Sequence, residues 1–157
     1  MLLTPHTAVG VALGLSIPSP VIAVPLSFLM HFAGDLVPHW DIFSETSHEE
    51  RHEGWRILAV MADLVVGVGI GLSSTLYVLW VLNEPFLALN VFLCGIASVL
   101  PDALCSYEAY TGKSWGPLKV LGRIQGKLQF QAPLPWGIIS QIFVLLVSGL
   151  VIVSSIQ

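Results

Sequence analysis

Four metal-competent side chains, His31, Asp35, His39 and Asp41, fall within eleven residues at the end of an apolar segment. Spaced four apart, His31 and Asp35 share one face of a helix, about one turn from each other. Pro38 has no backbone N–H and restricts the residue before it, so the helix is expected to end near Val37. His39 and Asp41 then stand on the exit turn, free to fold back toward the helical pair. Imidazole with carboxylate suits zinc best here, with manganese or iron as alternatives. The stretch reads as half of a divalent-metal site.

The other half has to come from elsewhere in the chain. His6, Asp63 and Asp102 each lie at or near the end of an apolar segment. A carboxylate within a membrane span is costly, and such a residue usually faces the bundle interior with a partner. Asp63 therefore calls for a cation, and a metal shared with His31 and Asp35 would supply one. Gly34-Asp-Leu-Val-Pro-His39 and Ala97-Ser-Val-Leu-Pro-Asp102 form a weak internal repeat, each a helix end followed by Pro and a ligand-type residue. Metal-free readings stand beside these. His6 could cap a helix or sit among headgroups, and His31 with Asp35 could be a hydrogen-bonded pair. His39 and Asp41 could belong to a polar turn beside Trp40, and Asp102 could cap a helix.

The elements that must position these groups follow from composition. The 157 residues are 55% hydrophobic and only 10% charged, with a mean hydropathy of +0.82. Soluble chains carry about 25% charged residues, so a single polytopic, all-α membrane domain is expected, with the lipid bilayer as its partner. A net charge of −4 gives nucleic acid no basic surface to bind. Cys94 and Cys105 lack CxxC spacing and read as reduced thiols. The N-terminal stretch has no basic region, and Pro18, Pro20 and Pro25 interrupt its apolar part. It is expected to remain in the fold rather than act as a signal peptide.

About five helices are predicted, over residues 7–17, 21–37, 57–82, 86–100 and 134–156. The first two are short for a span of about 20 residues and read as a tight hairpin, with Gly10 and Gly14 on one face allowing close packing. All six Lys and Arg residues lie in the polar loops 39–56 and 104–133. The positive-inside rule then makes both loops cytoplasmic and the C-terminus external. On that topology His6, the His31–Asp41 stretch, Asp63 and Asp102 all fall near the cytoplasmic face of an inner or plasma membrane.

His48-Glu-Glu-Arg-His52 matches HExxH, the zinc-protease helix motif. Its flanks are Ser, Thr, Glu and Arg, whereas that motif needs a packed helix. The stretch reads either as a solvated charged loop or as a segment that folds over the metal cluster, with Glu49 as a candidate base.

Thr-Pro-His6, the small apolar helices, Pro-His-Trp-Asp41 and Leu-Pro-Asp102 together resemble the small bacterial and archaeal inner-membrane metal-dependent hydrolases. The match covers the first two thirds of the chain. The resemblance implies hydrolysis by a metal-activated water.

The expected function is a membrane-embedded, metal-dependent hydrolase of a lipid-derived ester, phosphoester or amide. His6, His31, Asp35, His39, Asp63 and Asp102 are the expected metal ligands, and Asp41 or Glu49 the general base. Lys113, Lys119, Arg123 and Lys127 could hold an anionic headgroup, although topology alone also accounts for them. The alternative is a non-enzymatic membrane module, either a metal- or proton-coupled carrier or an accessory subunit.

Overall fold

A computed structural model describes residues 1–42, 54–111 and 116–157, the side chains of 107–111 excepted. The described residues form six helices: α1 (Leu3–Ser16), α2 (Pro20–Asp35), α3 (Trp55–Trp80), α4 (Pro85–Thr111), α5 (Gly116–Leu128) and α6 (Trp136–Ser155). The one pairing of β type among them is an isolated bridge between His39 and Gln131. Three segments are long and apolar enough to cross a membrane: Trp55–Trp80, Pro85–Ser106 and Trp136–Ser155. Their outer faces are what lipid would cover, with Leu58, Trp80 and Leu150 exposed by 73%, 72% and 71%.

The short helix α1 is the centre of the bundle. It packs against α2, α3, α4 and α6, and most closely against α4. A helix that is apolar on every side can be stable only where every side is covered. Gly10 and Gly14 make the α1–α4 contact possible. A Cβ at Gly10 would lie 2.6 Å from the Cys94 carbonyl oxygen, and one at Gly14 would lie 2.8 Å from Val91 Cα. The α1–α2 pair is therefore not a self-contained hairpin, because α1 gives more of its surface to α4 than to α2.

Both ends of α1 are finished by polar side chains from other helices. Leu2 at its N-cap provides no side-chain hydrogen bond. Instead Asp63 of α3 accepts from Leu3 N at 2.7 Å and Thr4 N at 3.1 Å. At the other end, Asn90 of α4 donates to the Gly14 and Ile17 carbonyls, each at 2.8 Å. A helix end buried away from water needs such partners for its unpaired backbone groups.

Two elements differ from expectation. The loop predicted over 104–133 contains α5, whose Lys119, Arg123 and Lys127 lie on an exposed face, while Leu118 and Gln125 face inward. An amphipathic period in a polar, glycine-bearing stretch is easily taken for a loop, since its apolar side is narrow. Second, α4 does not stop at 100 but continues through Pro101 to Thr111. Proline removes one N–H and crowds the carbonyls of the preceding turn. A carbonyl of that turn, from Ser98, is taken up by a side chain of α2, as described next.

Candidate metal centre

His6 from α1, His31 from the last turn of α2 and Asp102 from α4 meet at one end of the bundle. One ligand atom from each lies within 4.8 Å of the others. The two imidazole rings stack with centroids 4.0 Å apart and an interplanar angle of 21°. Both histidines are buried, whereas Asp102 keeps 25% of its side chain exposed, so the cluster opens on the Asp102 side.

The protonation of His31 follows from its neighbours. Its Nδ1 lies 2.8 Å from the Ser98 carbonyl oxygen, which can only accept, so Nδ1 carries the proton. In the neutral ring Nε2 is then a lone pair. It faces Asp35 Oδ2 at 3.5 Å and Asp102 Oδ1 at 3.6 Å. Both separations are longer than a hydrogen bond of about 2.7–3.2 Å. Asp35 Oδ2 is buried and has no hydrogen-bond partner. With the ring neutral, lone pairs of His31 Nε2, Asp35 Oδ2 and Asp102 Oδ1 face one another, an arrangement that suits a cation, and the Gln125 amide is turned toward the same point. An imidazole that donates its second nitrogen to a backbone carbonyl is also the usual support for a metal-binding histidine.

Asp35 braces the arrangement from behind. Its Oδ1 lies 3.2 Å from His6 Nε2 and 2.7 Å from the Met1 α-amino nitrogen. Gly34, one residue earlier, packs closely on the ring, since a Cβ there would lie 3.1 Å from His6 Cε1. On the other side stands Gln125 of α5. Its Nε2 donates to Asp102 Oδ1 and lies 3.5 Å from His31 Nε2, while its Oε1 is buried without a partner.

The remaining expected residues are placed elsewhere. Both oxygens of Asp63 accept backbone N–H groups of α1, so this carboxylate is satisfied without a cation and stands apart from the cluster. His39 is fully buried, with Nδ1 2.8 Å from the Val37 carbonyl oxygen and no hydrogen-bond partner for Nε2. Burial pushes its pKa down, which favours the neutral ring. Asp41 is half-buried on the exit turn, outside the three-residue cluster. Lys119, Arg123 and Lys127 lie on the face of α5 opposite Gln125 and do not reach the cluster. Glu49, His48, His52 and Lys113 lie outside the described residues.

The rim is held by backbone pairing. His39 N donates to Phe130 O at 3.0 Å, Ala132 N to His39 O at 2.8 Å, and Phe130 N to Asp35 O at 2.9 Å. Gln141 of α6 accepts from Leu2 N at 2.9 Å and donates to Trp40 O at 2.8 Å, tying the start of α1 to the exit of α2. The close approach of Gly137 to Trp40 seats this turn, since a Cβ at Gly137 would lie 2.7 Å from Trp40 Cβ.

No family model, curated protein or solved structure matches this chain.

Sequence reasoning passed over Ser98, Gln125 and Gln141. For Ser98 the functional atom is a carbonyl, which no residue type announces. The two glutamines did carry a signal, being uncharged polar residues on the inward faces of helices.

Proposed function

We propose that the protein is a membrane-embedded hydrolase whose divalent ion is held by His6, His31 and Asp102. The observation that carries this reading is the meeting of His6, His31 and Asp102 ligand atoms within 4.8 Å, with His31 Nδ1 engaged by the Ser98 carbonyl so that Nε2 is the nitrogen turned to the carboxylates. Two imidazoles and one carboxylate form the donor set of catalytic zinc and of non-haem iron, in which further positions stay open for water and substrate. A divalent ion bound there polarises the scissile carbonyl or phosphoryl group and acidifies water.

The chain's own residues do the rest. Asp35 orients His6 through Oδ1, and Asp41 or Glu49 takes the proton released when water attacks. That proton then passes to the leaving group as the ester, phosphoester or amide bond breaks. The 25% exposure of Asp102 provides the approach for substrate, and burial of the histidines excludes bulk water. His39 remains a positioning group on the rim, and Asp63 a helix cap. The exposed α5 cations face anionic headgroups from the cytoplasmic side, and the C-terminus lies outside.

Metal analysis of the purified protein tests the site. Wild type is expected to carry about one divalent ion per chain, and His31→Ala and Asp102→Asn are expected to bind at least about tenfold more weakly. A wild-type protein that takes up no divalent ion, with His31 and Asp35 merely sharing a proton, sinks the reading. Release of product from phospholipid ester and phosphoester substrates, abolished in the same variants, tests the hydrolysis.

A further inference from the structure

A groove of about 210 Å³ runs between α3 and α4 with α1 as its floor. Thr7, Gly67, Val91 and Gly95 on its floor are buried, while Val68 and Ile96 on its rim are 46% and 44% exposed. Among the described residues that line it, Thr7 carries the only polar side chain. Gly95 is itself buried, yet a Cβ there would meet nothing within 4 Å. The space above it is therefore a real void and not a packed helix contact.

Length and position identify what fits. The lining extends from Val91 to Ala103 along α4, about 18 Å at 1.5 Å per residue. That is close to half of the roughly 30 Å hydrocarbon thickness, the depth filled by the chains of one leaflet. One end of the groove lies at the same level of the bundle as the metal cluster, on the neighbouring faces of α1 and α4. Leu3 and Thr7 flank His6 along α1, and Val99 and Ala103 flank Asp102 along α4. A linear hydrocarbon lying in the groove has one end at the level of Asp102, the cluster residue that is partly open.

We infer that this groove is an acyl-chain subsite, holding one hydrocarbon chain of a membrane lipid with the lipid's polar end at His6 and Asp102. The place of the polar end rests on the metal-site reading; the binding of the chain does not. The substrate class narrows accordingly, from any membrane-associated ester, phosphoester or amide to a lipid whose scissile bond lies at the head of an acyl chain. The chain enters sideways from the bilayer between α3 and α4.

The test uses the full chain in lipid nanodiscs doped with a phosphatidylglycerol bearing a diazirine midway along one acyl chain. After photolysis, labelled peptides are mapped by mass spectrometry. Label is expected to concentrate on residues 64–72 and 91–103 over the equally apolar outer face of α6. Gly95→Leu fills the void and is expected to cut that labelling by about tenfold, the factor given by displacing roughly two buried methylenes. Gly71→Val, whose Cβ meets only Thr7 Cγ2 at 3.4 Å, provides a second variant should Gly95→Leu fail to fold. Metal content should stay at the wild-type value in both variants, and His31→Ala should keep the labelling. Even labelling of all lipid-facing helices, unchanged in both variants, overturns the subsite. So does a second copy of the chain cross-linked through this groove. A wild type without metal but with groove labelling removes only the catalytic reading.

Discussion

Asp63→Ala separates two roles for the carboxylate that sits within the third helix. As a metal ligand its loss would empty the site; as the cap of α1 its loss would weaken the fold and leave the donors in place. Two backbone N–H groups point at it, from Leu3 at 2.7 Å and Thr4 at 3.1 Å, and Thr4 is buried. Hydrogen bonds to a charged group contribute about 1.5–3 kcal/mol, and an N-cap replaced by alanine costs about 0.5–2 kcal/mol. Asp63 is only partly buried, which favours the lower part of these ranges. A loss of about 2 kcal/mol is expected for Asp63→Ala, or a fall in Tm of about 4–8 °C for a chain of this size. Asp63→Asn keeps one carbonyl oxygen as an acceptor and should lose about half of that. The assay pairs thermal unfolding in detergent with metal content at saturating ion. Both variants are expected to melt lower and still bind one ion per chain. Refutation would be an Asp63→Asn protein that melts like wild type and has lost its metal, because Asp63 would then be a ligand and not a cap.

Other perturbations test neighbouring parts of the structure. Gln125→Ala removes the amide that donates to Asp102 and crowds His31 Nε2, so metal affinity measured by titration should rise by about tenfold, the worth of one hydrogen bond to a charged acceptor; a loss of affinity would make Gln125 a ligand. Asn90→Ala leaves the Gly14 and Ile17 carbonyls unpaired at the buried end of α1 and should lower stability by about 2 kcal/mol without changing metal content. Gly10→Ala brings a Cβ to 2.6 Å from the Cys94 carbonyl oxygen, and the forced separation of α1 from α4 should cost about 1–3 kcal/mol, read as a lower Tm. Chelation of an ion present at a hundred times its Kd should remove about 2.7 kcal/mol of stability, and His31→Ala should show no such response.

The sequence by itself determined an all-helical chain with apolar segments long enough to span a membrane, and it singled out the three side chains that meet in the cluster. Sparse charge and long apolar runs leave little but a helical membrane bundle, because lipid cannot pair backbone groups that a helix does not pair itself. The i,i+4 spacing of His31 and Asp35 places both on one helix face before any fold is known. Only the tertiary structure decided which donors share a point. His6 and Asp102 reach His31 because α1 is threaded through the centre of the bundle, a consequence of glycine contacts with α4 that no local pattern gives. Asp63, equivalent to the others by residue type and depth, is claimed by the open N–H groups of α1, which become its neighbours only after packing. The proton on His31 is fixed by a carbonyl in the turn before Pro101. A backbone atom acquires such a role from its position in space, and sequence does not encode that position locally.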